Sequence, residues 1–346
     1  MHKEHVNMSA ENFLLPTFCN IKEIDRMTEK NILVVMPMNE EQKQLLEKQG
    51  EGNTFTYTSY DKVSKEMVEE ANIIIGNIDP FFLNYADNLE WLQLNSAGAD
   101  PYVKDGVLKD QILLTNATGA YGQSVSEHML AVLFSLQKKL YLYRDNQNQC
   151  RWQDEGNILS LHGGKLLVLG LGDIGMYFAR LMKNFGYYVI GIKRRVGDVP
   201  EGIDEVHTME DLDQLLPEAD VVFSILPDSK ETRNIFNIER FKKMKYSAIL
   251  LNAGRGTAVN TEDLCQALIQ GEIYGAGIDV TDPEPLQSQH KLWNMPNLII
   301  TPHVAGDFHH SATLPRIVDI VAENLKKYLN GETLNNIVDK ETGARK

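Results

Sequence analysis

The chain has 346 residues, about two domains at roughly 150 residues each, and either would bury a core without disulfides. Its composition of 43% hydrophobic and 24% charged residues, with 25 Gly and 12 Pro, excludes collagen-like, low-complexity and disordered classes. Lys plus Arg is 34 and Asp plus Glu is 48, so the formal net charge is −14 and there is no electrostatic reason to bind nucleic acid or an anionic membrane.

Residues 1–26 lack periodicity and read as a weakly ordered N-terminal extension, with Met27 the more natural start. From residue 31 the pattern alternates. Runs at 32–36, 54–58, 72–75, 89–94 and 112–115 predict strands, with helices at 41–49, 63–70 and between most of the others. A long helix is predicted over 124–144, from Val125, Met129, Val132, Leu133, Leu136 and Leu140 at helical spacing. Polar residues follow at 147–156, where Trp152 reads as the packing anchor of an interdomain or dimer arm. A second array then begins, with continuous apolar runs at 166–169, 188–192, 221–226, 248–251, 276–279 and 298–301, as expected of strands buried on both faces. The last predicted helix is 312–329. Strands alternating with helices predict parallel sheets.

Cys19, Cys150 and Cys265 are far apart and form no CxxC, which predicts reduced thiols and no structural zinc. No His, Asp or Glu spacing suggests a metal site. No run reaches the length of a membrane span and no signal peptide is evident, so a cytoplasmic protein is expected.

The segment Gly170-Leu-Gly172-Asp173-Ile174-Gly175 follows an apolar strand and opens an amphipathic segment. In that context GxGxxG predicts a dinucleotide site. Gly170 permits the turn, Gly172 lets backbone approach a pyrophosphate, and Gly175 lets the helix pack on the strand. The N–H groups near Asp173 and Ile174 face the anion. The next strand ends in Lys193-Arg194-Arg195, where an NAD-preferring fold usually carries an acid for the ribose hydroxyls. Three later strands run into Asn252-Ala-Gly-Arg255, Asp279-Val-Thr-Asp-Pro-Glu284 and Thr301-Pro-His303. The C-terminal ends of parallel strands face the ligand crevice. Arg255, Asp279, Glu284 and His303 are therefore expected to converge, the arginine to clamp a carboxylate and the histidine to serve as acid or base beside a carboxylate.

With these motifs in this order, the chain resembles the D-isomer-specific 2-hydroxyacid dehydrogenases. Further matching stretches are Leu226-Pro227 through Thr232, Asn95-Ser-Ala97-Gly98-Ala-Asp100, Thr115 through Gly119, and Ser126-Glu-His128. The resemblance spans about residues 31–335. It implies a Rossmann-type dinucleotide-binding domain, residues 124–307 with a dimer arm, inserted into a flavodoxin-like α/β substrate domain made of 27–123 and 308–346. It implies Arg255, Glu284 and His303 as catalytic residues, and Ala97, Gly98 and Arg255 as substrate-binding residues. The cofactor would meet Gly170, Gly172, Asp173, Ile174, Gly175, Lys193, Arg194, Arg195, Leu226, Pro227, Thr232, Ala253, Gly254, Asp279 and Ala305. The implied activity is reduction of a small 2-keto acid to the D-2-hydroxy acid by a homodimer. The basic turn at Lys193 points to NADP(H), with NAD(H) possible. The same resemblance admits two other readings: a dinucleotide-sensing corepressor-like module, and a phosphoglycerate, formate or phosphite dehydrogenase.

Overall fold

Short apolar runs separated by amphipathic segments build two parallel sheets. The computed structural model describes residues 29–160, 162–195, 197–341 and 343; the expected extension 1–26, with Cys19, lies outside them. The first sheet contains β1 (Asn31–Val34), β2 (Thr54–Tyr57), β3 (Ile73–Ile75), β4 (Trp91–Gln93) and β5 (Leu113–Thr115), connected in part by α1 (Glu40–Gln49) and α2 (Lys65–Glu70). Their spatial order is β2-β1-β3-β4-β5, the flavodoxin-like order. α1 starts in a capping box: the Asn39 side chain accepts from Gln42 N–H, and the Gln42 side chain returns the contact to Asn39 N–H.

Two helices follow, α3 (Gly122–Gln137) and α4 (Leu140–Asn148). The second sheet is made of β6 (Lys165–Leu169), β7 (Tyr188–Ile192), β8 (Glu205–His207), β9 (Val221–Ser224), β10 (Ile249–Asn252), β11 (Gly275–Ile278) and β12 (Leu298–Ile300). Its helices are α5 (Asp173–Asn184), α6 (Leu212–Leu215), α7 (Ile238–Phe241) and α8 (Thr261–Gln270). The order β12-β11-β10-β9-β6-β7-β8 is the doubly wound dinucleotide-binding order carried one strand further. The order reverses between β6 and β9, and a ligand crevice forms beyond the strand ends at such a point.

α9 (Thr313–Leu329) returns to the first sheet. Tyr328 stacks on Trp91 at 5.1 Å, its hydroxyl donates to Glu90, and Asn324 donates to buried Gln93. One buried cluster joins a face of the first sheet, through Met129, Leu133 and Leu136 of α3, to a face of the second. Two further clusters fill the opposite faces. The parallel-sheet α/β architecture expected from the sequence is therefore present.

Three local expectations are corrected. The helix predicted over 124–144 breaks at Lys138–Lys139, where Lys139 takes a left-handed backbone (φ 56°). The apolar stripe continues past this point, but Leu140 is 55% exposed, so the periodicity outlasts the buried face. α4 then takes in Gln147 and Asn148, which the sequence reads as irregular. β8 was not anticipated, because its Glu-Val-His is half polar, as suits an edge strand. Trp152 is fully exposed (106%) and packs on nothing in its own chain, so it is not an interdomain anchor.

Candidate active site

β6 ends in a turn at Gly170 (φ +105°), and the chain enters α5 with Gly172 as N-cap. No side chain caps the first-turn N–H groups, so the donors at Asp173 and Ile174 are open to an anion. A Cβ at Gly172 would stand in open space, whereas one at Gly175 would lie 1.9 Å from the Gly170 carbonyl oxygen. The helix packs directly on its own turn, and the space in front of Gly172 is clear. These features fit a pyrophosphate. The Asp173 carboxylate turns away and accepts from the Gly122 N–H at 2.7 Å, tying α5 to the start of α3.

The neighbouring turn is basic. Gly170 N–H donates to the Ile192 carbonyl, which places Lys193 beside the glycine loop. Lys193 is half-buried and its ammonium reaches the Asp198 carbonyl at 3.3 Å. Arg194 and Arg195 are exposed, and among the described residues neither pairs with a carboxylate.

Other expected cofactor residues lie in the loops that follow β9 and β12. Leu226 is buried, Pro227 is exposed, and the Thr232 hydroxyl donates to the Pro227 carbonyl at 2.6 Å, so Thr232 closes its own loop. Ala305 is buried, and its carbonyl accepts from Ser124 at 2.5 Å.

Beyond the strand ends of the second sheet lies a cleft of about 570 Å³, lined by Ala97 and Gly98 after β4 and by Ile174, Ala253, Arg255, Asp279, Glu284 and His303. The catalytic and substrate-binding candidates from the sequence therefore share one cavity. Lys193, Arg194 and Arg195 do not line it; they lie at the other end of the glycine loop, where the adenosine half of a dinucleotide would extend.

Arg255 is held from three directions. Its Nε and Nη2 donate to Asp100 Oδ2 at 2.9 and 2.6 Å, and its Nη1 donates to the Gly254 carbonyl at 2.8 Å. The guanidinium lies on Gly98, where a Cβ would stand 1.7 Å from Nη2. Only glycine permits this contact, which brings the cation against the backbone at residues 97–98.

His303 has a left-handed backbone (φ 54°), and its N–H donates to the Asp279 carbonyl at 2.8 Å. Nδ1 meets Glu284 Oε1 at 2.9 Å, leaving Nε2 as the other hydrogen-bonding atom of the ring. The loop bearing His303 is fixed by buried Asp279. Oδ1 accepts from the Thr301 hydroxyl and Val304 N–H, and Oδ2 from Ala305 N–H. His128 Nε2 lies 3.0 Å from the Thr301 hydroxyl and braces it from α3. Asp279 is thus first a loop anchor, with one acceptor position left on Oδ2 for a carboxamide.

The sequence reading assigned no role to Asp100, Thr301 or Asp307, and quoted His128 only as part of a motif. Asp100 had a signal, since it ends the Asn95–Asp100 segment; its pairing across 155 residues is visible only in three dimensions. Tyr102 and Tyr121 also line the cleft. Burial pushes both phenols above their ordinary value, and their hydroxyls donate to the carbonyls of Ile78 and Asn95. Neither is suited to give up a proton near neutral pH. Among the described residues no group of three or more His, Cys, Asp or Glu could hold a metal ion, and no helix is long and apolar enough to cross a membrane.

Residues 130–305 match the family model for the D-isomer specific 2-hydroxyacid dehydrogenase NAD binding domain. The chain is 32% identical over 279 residues to a glyoxylate reductase of Thermofilum pendens, covering 78% of this chain and 80% of that protein. A solved D-isomer specific 2-hydroxyacid dehydrogenase family protein from Aeromonas salmonicida superposes with a TM-score of 0.80 at 33% identity, over 90% of this chain and all of that one. Another, from Xanthobacter autotrophicus in complex with NADPH and MES, superposes with a TM-score of 0.76 at 25% identity, over 91% of this chain and all of that one. With its Rossmann sheet, glycine loop and strand-end cleft, the chain belongs to the D-isomer-specific 2-hydroxyacid dehydrogenase family and carries that family's nicotinamide dinucleotide-binding domain.

Proposed function

We propose that this protein reduces a small 2-keto acid to the D-2-hydroxy acid, prefers NADPH as hydride donor, and works as a homodimer. The observation that carries this reading is the meeting of Arg255 and the Glu284–His303 pair in one cleft beside the glycine loop. The glyoxylate reductase among its relatives supports the substrate class.

When bound, the reduced nicotinamide supplies the hydride. The chain's own residues do the rest. Arg255 and the N–H groups of Ala97 and Gly98 hold the keto acid's carboxylate and orient its carbonyl. His303, held at Nδ1 by Glu284, gives a proton from Nε2 to the carbonyl oxygen as it becomes an alkoxide. Arg255 also faces the developing negative charge, a contact worth most in the transition state. Asp279 would hold the carboxamide at its remaining acceptor position.

The cofactor preference rests on the end of β7. An acid there would accept from both ribose hydroxyls and repel a 2′-phosphate; Lys193 does neither, and two exposed arginines follow it. Initial rates of NADPH and NADH oxidation with a panel of 2-keto acids test the reading. Oxidation of neither cofactor with any keto acid would overturn it.

A further inference from the structure

The charges lining the cleft are unevenly matched. Four carboxylates face it, those of Asp100, Asp279, Glu284 and Asp307, against the cations of Arg255 and, when protonated, His303. Three of the acids are engaged: Asp100 by Arg255, Glu284 by His303, and Asp279 by the Thr301 hydroxyl and two N–H groups. Asp307 is not neutralised in this way. Its Oδ1 accepts from the Phe308 N–H at 2.6 Å, and its ionic neighbour is His309 at 3.5 Å, a side chain 74% exposed. Asp307 lines the cleft together with Tyr121.

The cationic side is limited as well. A guanidinium has five N–H groups. Asp100 and the Gly254 carbonyl take three on Arg255, leaving one on each terminal nitrogen. Two parallel donors suit a single carboxylate. No lysine lines the cleft among the described residues.

We infer that this cleft is a charge filter: it admits monoanionic 2-keto acids and excludes those carrying a second carboxylate or a phosphate, with Asp307 as the excluding residue. The inference rests on the keto acid reading and narrows it. Among the described residues that line the cleft, a second anionic group meets no further cation, and Asp307 adds a like charge. A hydroxyl or other neutral donor at the same place finds an acceptor instead.

The test compares glyoxylate with oxaloacetate and 2-oxoglutarate on the full-length protein, with whichever cofactor it uses. Asp307 is 49% exposed, so solvent screens it, and at a separation on the order of 6 Å its repulsion should lower kcat/KM for a dianion roughly three- to tenfold. The dianions should therefore lag by that order in the wild type, and the gap should narrow as salt is raised. Asp307→Lys should raise the oxaloacetate-to-glyoxylate ratio by roughly tenfold or more, with Asp307→Asn between the two. Equal rates on mono- and dianions, or an unchanged ratio in both variants, would overturn the filter.

A binding measurement separates this claim from the catalytic one. With NADP+ present, oxamate should raise the melting temperature and tartronate should not. If no keto acid is turned over but oxamate alone still binds, the reductase reading fails and the filter stands. If both anions bind equally, or neither binds, the filter fails.

Discussion

At the scale of single residues, the site depends on a guanidinium held in one orientation. Charge-assisted hydrogen bonds contribute about 1.5–3 kcal/mol each, and Asp100 accepts two of them from Arg255. Asp100→Asn keeps the shape but loses the charge. The expected outcome is a roughly tenfold lower kcat/KM for the keto acid, chiefly through KM, from a loss of about 1.4 kcal/mol. An unchanged or lower KM would show that Asp100 competes with the substrate for Arg255 instead. Gly98→Ala places a methyl where Nη2 sits and should cost as much as removing Arg255, about 10²–10³ in kcat. Glu284→Gln takes the anion from His303 Nδ1. Both side chains are partly exposed, at 41% and 53%, so the pair adds little stability. Steady-state rates should fall about 100-fold, within the range of general acid–base effects, while the melting temperature stays within a degree or two. Arg255, Glu284 and His303 were legible because each sits in a polar motif just after an apolar run. The Asp100, His128 and Thr301 contacts were not, because each acts through another residue brought close only by folding.

At the scale of elements, in the proposed reading the β6–turn–α5 unit would take the pyrophosphate and the end of β7 the adenosine half of the cofactor. Gly175 is where α5 touches its own turn, and a Cβ there would meet the Gly170 carbonyl oxygen at 1.9 Å. Gly175→Val must push the helix N-terminus away from the position of the pyrophosphate. NADPH binding, followed by its fluorescence, should weaken by more than tenfold, about 1.4 kcal/mol or more. The β7 turn would act on the adenosine end. If Arg194 and Arg195 each make one charge-assisted contact to the 2′-phosphate, at about 1.5–3 kcal/mol apiece before solvent screening, NADPH is favoured at least tenfold. Replacing both with Ala should erase most of that preference, mainly through KM for NADPH. Equal use of NADH by the wild type would make the basic run a solvated turn. Sequence periodicity revealed the buried strands well, since β6, β7, β9 and β10 are mainly apolar runs whose polar residues (Lys165, Ser224 and Asn252) stand at strand ends. It missed β8, which as an edge strand has half-exposed residues only. It also ran α3 into α4, because apolar spacing does not register the left-handed turn at Lys139.

At the scale of the whole molecule, the proposed homodimer would cover apolar surface that the described residues of one chain leave exposed. Trp152 is fully exposed, and Leu140, Ile158 and Ile269 are 55%, 50% and 63% exposed. Leu268, Ile269, Tyr274 and Met295 line a concavity of about 470 Å³ with Tyr141 and Leu142 of α4. Burial already pushes the Tyr141 phenol up to about 12, and the buried Tyr274 hydroxyl has no hydrogen-bond partner among the described residues. Isolated apolar side chains on a surface need no explanation, but a contiguous set marks an interaction site. The segment after α4 is tied back to its own chain through Glu155, yet it leaves the Trp152 side chain in solvent, where the proposed second copy would cover it. Sedimentation at micromolar concentration should therefore give twice the monomer mass. Tryptophans at interface centres contribute about 2 kcal/mol or more, so Trp152→Ala should raise the dimer dissociation constant by roughly thirtyfold. A wild type that sediments as a monomer at that concentration would refute the dimer. A dimer insensitive to Trp152→Ala would place the interface elsewhere on the chain.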